Sequence, residues 1–442
     1  MTTSEGSCET RAASDEQARS SKHEPRSFPS ARSSKLVARS FLDIEAITRE
    51  DAWDALESEW DALVERSASA AIFLTWEWLR PWWRHFRRPG DELCILAARE
   101  GGALVGLAPL YRRRIAPSYR LGSLRRLGFI GDHSCDSEYL DFIAEPGREA
   151  DVVRACLDRI DADPSGWDLI DLWLLPKSSP NYETLRRLAA DRGYIEHVRD
   201  LACLTLDLPS DWEAYLGTLQ PRFRSKLRSV LRKLPAERDA VFEECTSAGE
   251  LAERLESLFE LHQRRWRAEG KPGSFATEAR RRFYYEMSEA FLRRGWLRFY
   301  SLRLGGRFVA HEFSFEHLGR VYFLQQGFDT DLESLSVGTA LKAHAIRESI
   351  ARGARAYDFL GGGASYKEKW GARPTECALL TLARPALRTR WHLGLLRLAA
   401  RMRERGRALA PAPVLRLKRG LQDWLRRRAA APGPPSNDPG NP

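Results

Sequence analysis

The sequence has no long hydrophobic run and no closely paired cysteines. No stretch approaches the roughly 18 unbroken apolar residues of a membrane-spanning helix, and the first 40 residues contain no apolar signal core. The seven cysteines form no CxxC pair, which argues against a structural zinc site and against a disulfide scaffold. We therefore expect a cytoplasmic protein with reduced, mostly buried thiols and no metal.

Positive and negative charges nearly balance over most of the chain. The 70 basic and 61 acidic residues give a net charge of +9. Residues 384–428 alone contain 14 basic and two acidic residues, which leaves a net charge of −3 for the rest. The isoelectric point of about 9.3 is therefore a property of that segment, and it does not predict nucleic-acid binding by the main body.

Composition divides the chain into five segments. The N-terminal region has almost no large apolar side chains and cannot offset its chain entropy, and the Pro- and Gly-rich end is similar. The long middle part is dense in Leu, Trp and Phe and has the size of two domains. We predict a disordered N-terminal segment (1–38), a first domain (39–208), a second domain (209–385), a basic amphipathic helical tail (386–428) and a disordered end (429–442).

An internal repeat supports two domains. Residues 94–106 read as strand, Gly101–Gly102 turn and strand, and residues 299–310 repeat the pattern around Gly305–Gly306. Glycine supplies the positive φ that tight hairpin turns require. Strands and helices alternate after each hairpin, which predicts an α/β fold in which each half is a mixed (α+β) sheet flanked by helices. The predicted strands include 139–143, 169–175, 203–206, 320–326 and 356–360, and the predicted helices include 52–66, 76–86, 150–161, 182–192, 223–233, 250–268, 277–294 and 340–351.

The first segment that could carry chemistry opens a helix directly after a strand. Ser334–Ala340 offers free backbone amides at the helix start, and Gly338 permits close approach, which together suit a pyrophosphate. A simpler alternative is that Gly338 only makes the turn and Ser336 caps the helix. Ligand binding and plain helix initiation both stay open at this point.

Two further segments are candidates. Asp358–Gly371 places three glycines, Tyr366 and Lys367 just past a strand end, where α/β sheets bind ligands; the alternative is a flexible connection with a solvated lysine. His262–Trp266 lies on a predicted helix, and there the alternative is an amphipathic face with a buried tryptophan.

The motifs Gly338-x-x-Leu341, Gly353–Gly361 and Tyr366-Lys367-x-x-Trp370-Gly371 carry a resemblance. They resemble the GNAT acetyltransferase-like (BioF2-like) domain of CelD-like cellulose-biosynthesis proteins. The chain is also similar, more distantly, to the FemAB peptidoglycan aminoacyltransferases, which carry two tandem GNAT folds. The supporting motifs are His262-x-x-Arg265-Trp266, Gln326-Gly327-Phe328-Asp329 and Asp136-x-Glu138-Tyr139-Leu140-Asp141.

The resemblance implies two tandem GNAT-like domains. Only the second half has a pyrophosphate loop, so the first domain is expected to be degenerate and to shape the substrate groove. One position departs from the family pattern, because Leu335 replaces the usual Gln or Arg at the start of that loop.

The resemblance also implies a reaction: direct transfer of an acyl group from acetyl-CoA or another acyl-CoA to a small-molecule acceptor amine of a cell-envelope or polysaccharide-related precursor. Asp329 or Glu312 would act as base, Tyr366 would protonate the leaving thiolate, and Lys367 would face the donor or a phosphate-bearing substrate. Backbone N–H groups near residues 324–326 would stabilise the oxyanion. The implied cofactor-binding residues are Leu324, Gln325, Gln326, Val337, Gly338, Thr339 and Ala340, and the implied substrate-binding residues are His262, Arg265, Trp266 and Asp358.

Two other functions stay open. One is a FemAB-like transfer from aminoacyl-tRNA, which the basic helix at residues 222–233 would favour; outside that case we do not expect a nucleic-acid partner. The other is a non-catalytic accessory module in polysaccharide biosynthesis.

The basic tail raises a separate question of partners. Apolar residues from Leu387 to Met402 recur at helical spacing among arginines, a pattern typical of helices on anionic membrane surfaces. We expect peripheral contact with the inner membrane surface through this tail. An RNA backbone and packing on the protein core are the alternatives.

Overall fold

The strands form one open, mixed sheet that runs through both halves of the chain. The computed structural model describes residues 42–116, 122–132, 136–362 and 366–409. Its strands are β1 (Asp43–Ile47), β2 (Glu92–Glu100), β3 (Ala103–Ile115), β4 (Leu124–Phe129), β5 (Ile143–Ala144), β6 (Leu169–Pro176), β7 (Ile195–Asp207), β8 (Ala240–Glu244), β9 (Leu297–Leu304), β10 (Arg307–His317), β11 (Arg320–Phe328), β12 (Ala356–Asp358) and β13 (Arg373–Ala383). The predicted α/β fold with a mixed sheet flanked by helices is confirmed.

Helices cover both faces of this sheet. They are α1 (Glu50–Asp54), α2 (Glu57–Arg66), α3 (Trp76–Phe86), α4 (Glu149–Asp161), α5 (Pro180–Asp191), α6 (Trp212–Thr218), α7 (Pro221–Arg238), α8 (Ala248–Ala268), α9 (Glu278–Arg293), α10 (Val337–Ala351) and α11 (Leu387–Leu409). The part of the basic tail beyond residue 409, and both segments predicted to be disordered, lie outside the described residues.

Three sequence predictions differ from the structure. The helix predicted at 52–66 is two helices, α1 and α2, separated at Ala55–Leu56. The strand predicted at 139–143 is reduced to β5, because Tyr139 has a φ of 52° and its hydroxyl donates to Asp358 in the other half of the chain. Strands β1, β8 and β13 were not among the predicted elements.

The two predicted glycine hairpins are present and confirm the repeat. Strands β2 and β3 turn at Gly101 and Gly102, which have φ values of 57° and 88°. Strands β9 and β10 turn at Gly305 and Gly306, with φ values of 53° and 76°. Positive φ at both central residues gives the turn twist that matches antiparallel strands.

The last strand of each half pairs with a strand of the other half. The sheet order is β1-β2-β3-β4-β6-β13-β7-β12-β11-β10-β9-β8, with β5 paired to β3. Strand β13, from the end of the second half, lies between β6 and β7 and is antiparallel to both. Strand β7, from the end of the first half, pairs with β12. The boundary predicted at residues 208–209 stays a prediction, since one continuous sheet crosses it.

A side-chain triad repeats at matching points of the two halves. In each half two strands pair in parallel over three residues, β4 with β6 and β11 with β12. Arg126 Nε lies 3.1 Å from Asp171 Oδ2, and Thr381 Oγ1 donates to Asp171 Oδ1 over 2.5 Å. The second triad consists of Arg320, Asp358 and Thr205, with Arg320 Nη1 and Thr205 Oγ1 each 3.0 Å from Asp358 Oδ2. The repeat thus extends from the hairpins to individual charged side chains.

Candidate functional site

A cleft opens where β11 and β12 separate. The two strands pair only over Arg320–Tyr322 and Ala356–Asp358, and within the described residues β11 then runs on to Phe328 with no strand on that side. The cleft beside this free edge, called here the donor cleft, has a volume of about 370 Å³. It is lined by Phe223, Lys226, Gln326, Phe328, Glu333, Ser336, Val337, Gly338, Thr339, Lys342, Tyr366, Lys369 and Trp370.

The N-terminus of α10 lines this cleft with Ser336, Val337, Gly338 and Thr339. Ser336 precedes the helix in the left-handed region, with φ of 55°, and its side chain makes no capping hydrogen bond. Gly338 lies inside the first turn of α10, and a Cβ added there would be 3.0 Å from Cδ1 of Phe328. Ser336 occupies the N-cap position without a side-chain capping bond, and Gly338 makes no turn. The glycine instead lets the helix start pack directly on β11.

Positive charge surrounds the helix start. Lys226, Lys342 and Lys369 line the donor cleft together with one acidic residue, Glu333. A helix N-terminus carries a partial positive charge, and its unpaired N–H groups bind anions. The cleft therefore favours a ligand with several negative charges, such as a pyrophosphate.

Lys342 and Glu312 form a buried ion pair at the base of the cleft. Lys342 Nζ lies 3.0 Å from Glu312 Oε2 and 3.1 Å from the ring centre of Phe323. Burial lowers the pKa of Lys342 to about 8. Glu312 also accepts hydrogen bonds from the Tyr357 hydroxyl and from Gln326 Nε2, the latter over 3.4 Å. Gln326 in turn donates to the Gly338 carbonyl over 2.9 Å, so β10, β11 and α10 meet in one polar network.

Tyr366 and Lys367 take different positions. Tyr366 lines the donor cleft and is 46% exposed; partial burial raises the pKa of its hydroxyl to about 12. Lys367 is buried, and its Nζ donates to the carbonyls of Phe359 and Leu360 over 2.7 and 2.9 Å and to that of Gly361. Lys367 thus donates three hydrogen bonds to the backbone carbonyls that lead from β12 into the glycine loop. Its predicted role in the reaction stays a prediction.

Asp329 is held away from the cleft by two arginines. Its oxygens lie 2.6 Å from Arg264 Nη2 and 3.1 Å from Arg307 Nη1, and it accepts from the Asp331 amide. Although burial opposes it, these partners lower the pKa of the carboxyl. A paired carboxylate with a lowered pKa is a weak base. Glu312 is paired as well, with Lys342, but it is also hydrogen-bonded to Gln326, which lines the donor cleft. Of the two predicted bases, Glu312 is therefore the better placed.

The predicted substrate residues lie mainly on the opposite face of β11. Helix α8 packs against Gly327, where a Cβ would be 2.9 Å from the Leu258 carbonyl. His262 Nε2 accepts from Trp266 Nε1 over 2.8 Å, and burial lowers the pKa of His262 to about 4. Of the three α8 residues, Arg265 comes nearest the donor cleft, with its guanidinium 4.9 Å from the ring centre of Phe328.

Asp358 is hydrogen-bonded to two residues that line a second cleft. Its buried carboxylate accepts from Tyr139, Thr205, Arg320 and the Leu360 amide. Tyr139 and Arg320 in turn line a cleft of about 230 Å³. The other lining residues are Ala68, Ser69, Ala70, Ala71, Asp141, Pro176, Ser178, Ser179, Tyr322 and Thr375.

The loop at residues 136–141, in the first half, contacts the second half near β11 and just after β12. Asp136 contacts Arg280 Nη2 at 2.7 Å and Gln325 Nε2 at 3.4 Å. Glu138 accepts from the Gly361 amide over 3.3 Å, and burial raises its pKa to about 7.

Sequence reasoning did not place Glu138, Lys342 or Lys226 in a site. Glu138 did stand in a quoted motif, and Lys226 lies in the basic helix noted at residues 222–233, whereas Lys342 had no local signal. Of the predicted cofactor residues, Gln326, Val337, Gly338 and Thr339 line the donor cleft, while Leu324, Gln325 and Ala340 do not.

Comparison with known proteins gives a family match within the second half. Residues 221–368 match the model of the acetyltransferase (GNAT) domain. A search of curated proteins finds no match. Among solved structures, the crystal structure of FemX aligns with a TM-score of 0.53 at 12% identity, covering 76% of this chain and 96% of FemX.

Two other structures align less well. A conserved protein of unknown function from Bacteroides thetaiotaomicron has a TM-score of 0.49 at 12% identity, covering 78% of this chain and 100% of that one. A tandem GNAT protein from the clavulanic acid biosynthesis pathway has a TM-score of 0.39 at 15% identity, also covering 78% and 100%. The resemblance to GNAT acyltransferases with FemAB-like similarity is confirmed, and it rests on the domain match and on the fold shared with FemX.

The described residues contain neither a helix that could span a membrane nor a cluster of metal ligands. No helix in the described ranges is long and apolar enough to cross a membrane. Within the same ranges no three His, Cys, Asp or Glu side chains are grouped so as to hold a metal ion. The cysteines that the structure describes, Cys94, Cys156, Cys203, Cys245 and Cys377, are buried and free.

Proposed function

We propose that this GNAT-type protein transfers an acyl group from acyl-CoA to the amine of a small cell-envelope or polysaccharide-related molecule. The observation that carries the proposal is the donor cleft, which combines a free strand edge, a helix N-terminus and the lysines Lys226 and Lys369. A third lysine, Lys342, is paired with Glu312 at the base of the cleft. A thioester donor with a pyrophosphate would place its phosphates at Val337–Thr339 and among these lysines.

The residues of the cleft fit the chemistry of acyl transfer. The amine nitrogen forms a bond to the acyl carbonyl carbon, and the carbon–sulfur bond breaks. Glu312, linked to the cleft by Gln326 and Lys342, would take the amine proton. The Tyr366 hydroxyl would return a proton to the leaving sulfur, and its raised pKa keeps it protonated at neutral pH. Backbone N–H groups on the free edge of β11 would stabilise the oxyanion.

Calorimetric titration of the full chain with acetyl-CoA and with desulfo-CoA tests the donor. We expect micromolar or tighter binding of both, because recognition rests on the phosphates and not on the thioester. Gly338→Val should weaken binding at least about tenfold, since its side chain would push α10 away from Phe328. Gly249→Val is the matched control, because that helical glycine has nothing within 4 Å of an added Cβ.

Two results would overturn this donor. One is the absence of binding by either ligand, and the other is equal weakening by Gly338→Val and Gly249→Val. Binding of acyl-CoA without turnover of any amine would instead support the accessory-module alternative.

Helix α7 favours a second candidate donor, an aminoacyl-tRNA. Its exposed basic residues include Arg222, Lys226, Arg232 and Lys233, and Lys226 lines the donor cleft. A row of cations beside the cleft would suit a nucleic-acid backbone. Titration with a charged tRNA at two salt concentrations tests it. Arg232→Glu with Lys233→Glu should weaken tRNA binding while leaving acyl-CoA binding unchanged, and unaffected tRNA binding would argue against this donor.

A further inference from the structure

Helix α11 exposes an unusual share of large apolar side chains. Of the eight exposed large hydrophobic residues in the described part of the chain, five lie on this helix. Four of them, Leu387, Trp391, Leu398 and Met402, are 75%, 56%, 53% and 66% exposed. Their spacing of four, seven and four residues puts them on one side of a helix. These four residues are called here the apolar stripe.

The opposite side of α11 is fixed to the body of the protein. Leu393 is buried in a cluster with Leu124, Leu169 and Ala383. Arg388 pairs with Asp168, and Arg397 Nη2 donates to the Glu196 carbonyl over 3.0 Å. The helix is therefore held with its apolar stripe facing away from the protein.

The charge around the stripe is positive. Arg390 and Arg401 are exposed beside it, and residues 384–428 contain 14 basic residues against two acidic ones. A second copy of this helix, or the following segment 410–428 with its six basic residues and one acidic residue, would bring like charges together. Such an arrangement is electrostatically unfavourable. The charge complementary to this surface is negative.

We propose that α11 lies in the plane of an anionic lipid bilayer, with the apolar stripe inserted at the boundary between headgroups and acyl chains. Amphipathic helices with a basic polar face and an aromatic residue on the apolar face bind such surfaces, and each nearby arginine adds attraction to acidic headgroups. Trp391 supplies the aromatic ring, which prefers the interfacial level. The stripe would thereby hold the protein at the surface on which its acceptor is presented.

Co-sedimentation of the full chain with vesicles tests the proposal. We expect binding to phosphatidylcholine vesicles that contain phosphatidylglycerol, and at least about tenfold weaker binding to pure phosphatidylcholine. Trp391→Glu with Leu398→Glu should weaken binding to the acidic vesicles at least about tenfold. Val241→Glu removes an equally exposed apolar residue from β8 and should change nothing. Thermal unfolding curves that match the unchanged protein establish that each variant is folded.

Three outcomes would overturn the proposal: equal binding of the double variant and the unchanged protein, equal binding to neutral and acidic vesicles, and absence of vesicle binding. In the last case, binding of a double-stranded RNA that is lost in Arg390→Glu with Arg401→Glu would assign the surface to nucleic acid. The result does not depend on the acyl donor, so the proposed function and the membrane surface can fail separately.

Discussion

At the scale of single residues, Lys367 shows how a buried cation can shape a loop. Lys367→Met would take this donor from the carbonyls of Phe359 and Gly361, whereas the Leu360 carbonyl would keep the Leu204 amide. Leaving a buried polar group unsatisfied costs about 1–3 kcal/mol, and we expect a loss of that order in urea unfolding. Lys369→Met, at an exposed position of the donor cleft, should change the free energy of unfolding by less than about 0.5 kcal/mol. Equal stabilities of the two variants would show that the loop does not depend on Lys367.

Glu138 provides a second prediction at this scale, on pH. Its pKa is raised from 4.5 to about 7, mainly by burial and also by the nearby Asp358, while Lys367 opposes the shift. The folded state therefore binds the proton more tightly than the unfolded state. The stability that this gives is complete below pH 4.5 and is lost as pH rises through about 7.

Glu138→Gln should remove this dependence. Above pH 7 the variant should be more stable than the unchanged protein, by an amount on the order of 2–3 kcal/mol, and the difference should shrink toward pH 5. Unfolding in urea at several pH values measures it. The buried carboxyls Asp141 and Glu77, whose pKa values are also raised, are present in both proteins and cancel in the difference. A difference that does not vary with pH would contradict the prediction.

The sequence allowed only part of the site to be predicted at residue level. Gln326, Gly338 and Tyr366, three of the predicted site residues, line the donor cleft. A helix start after a strand and a glycine loop are local signals, whereas Gln326 was implied by the family resemblance; the predicted roles of all three stay predictions. The partners of Asp329 and Lys367 are side chains and carbonyls that only the tertiary fold brings near. Lys342 lies in the middle of a helix with no distinguishing neighbours, so its ion pair with Glu312 had no signal in the sequence.

At the scale of elements, the two parallel strand pairs contain equivalent Arg–Asp pairs in different surroundings. Arg126 is buried between Asp132 and Asp171, whereas the Arg320 side chain is 40% exposed beside Asp358. Arg126→Met would remove the buried guanidinium that contacts both carboxylates, and removing one member of a buried pair costs about 3–5 kcal/mol. Arg320→Met should cost less, because Asp358 keeps three other donors. Chemical denaturation of both variants measures the difference; equal losses would contradict it.

The elements themselves were predicted well where the pattern is local. Helix α3 and the two glycine hairpins lie where amphipathic spacing and turn chemistry indicated. The loop at 136–141 overlaps the strand predicted at 139–143, where four of the five residues are apolar or aromatic. In the structure its polar side chains instead bond across to the other half.

At the scale of the whole molecule, the position of β13 makes the halves dependent on each other. Strand β13 pairs with β6 along one edge and with β7 along the other. Residues 42–208 alone would therefore expose unpaired strand edges and should show no cooperative unfolding transition by circular dichroism. Adding a peptide of residues 366–409 should restore one. A stable, cooperatively folded fragment without the peptide would show that the first half is an independent domain.

The late position of β13 in the sequence also affects folding during synthesis. The ribosome produces β6 and β7 well before β13, which ends at Ala383. At about 5–20 residues per second, the nascent chain waits roughly 10–35 seconds with those edges unpaired. Open strand edges attract other strands, so during this interval the growing polypeptide is most exposed to wrong pairing with its neighbours on a polysome. A pause in translation between β7 and β13 would lengthen this interval, and a chaperone bound to the emerging first half would cover the open edges during it.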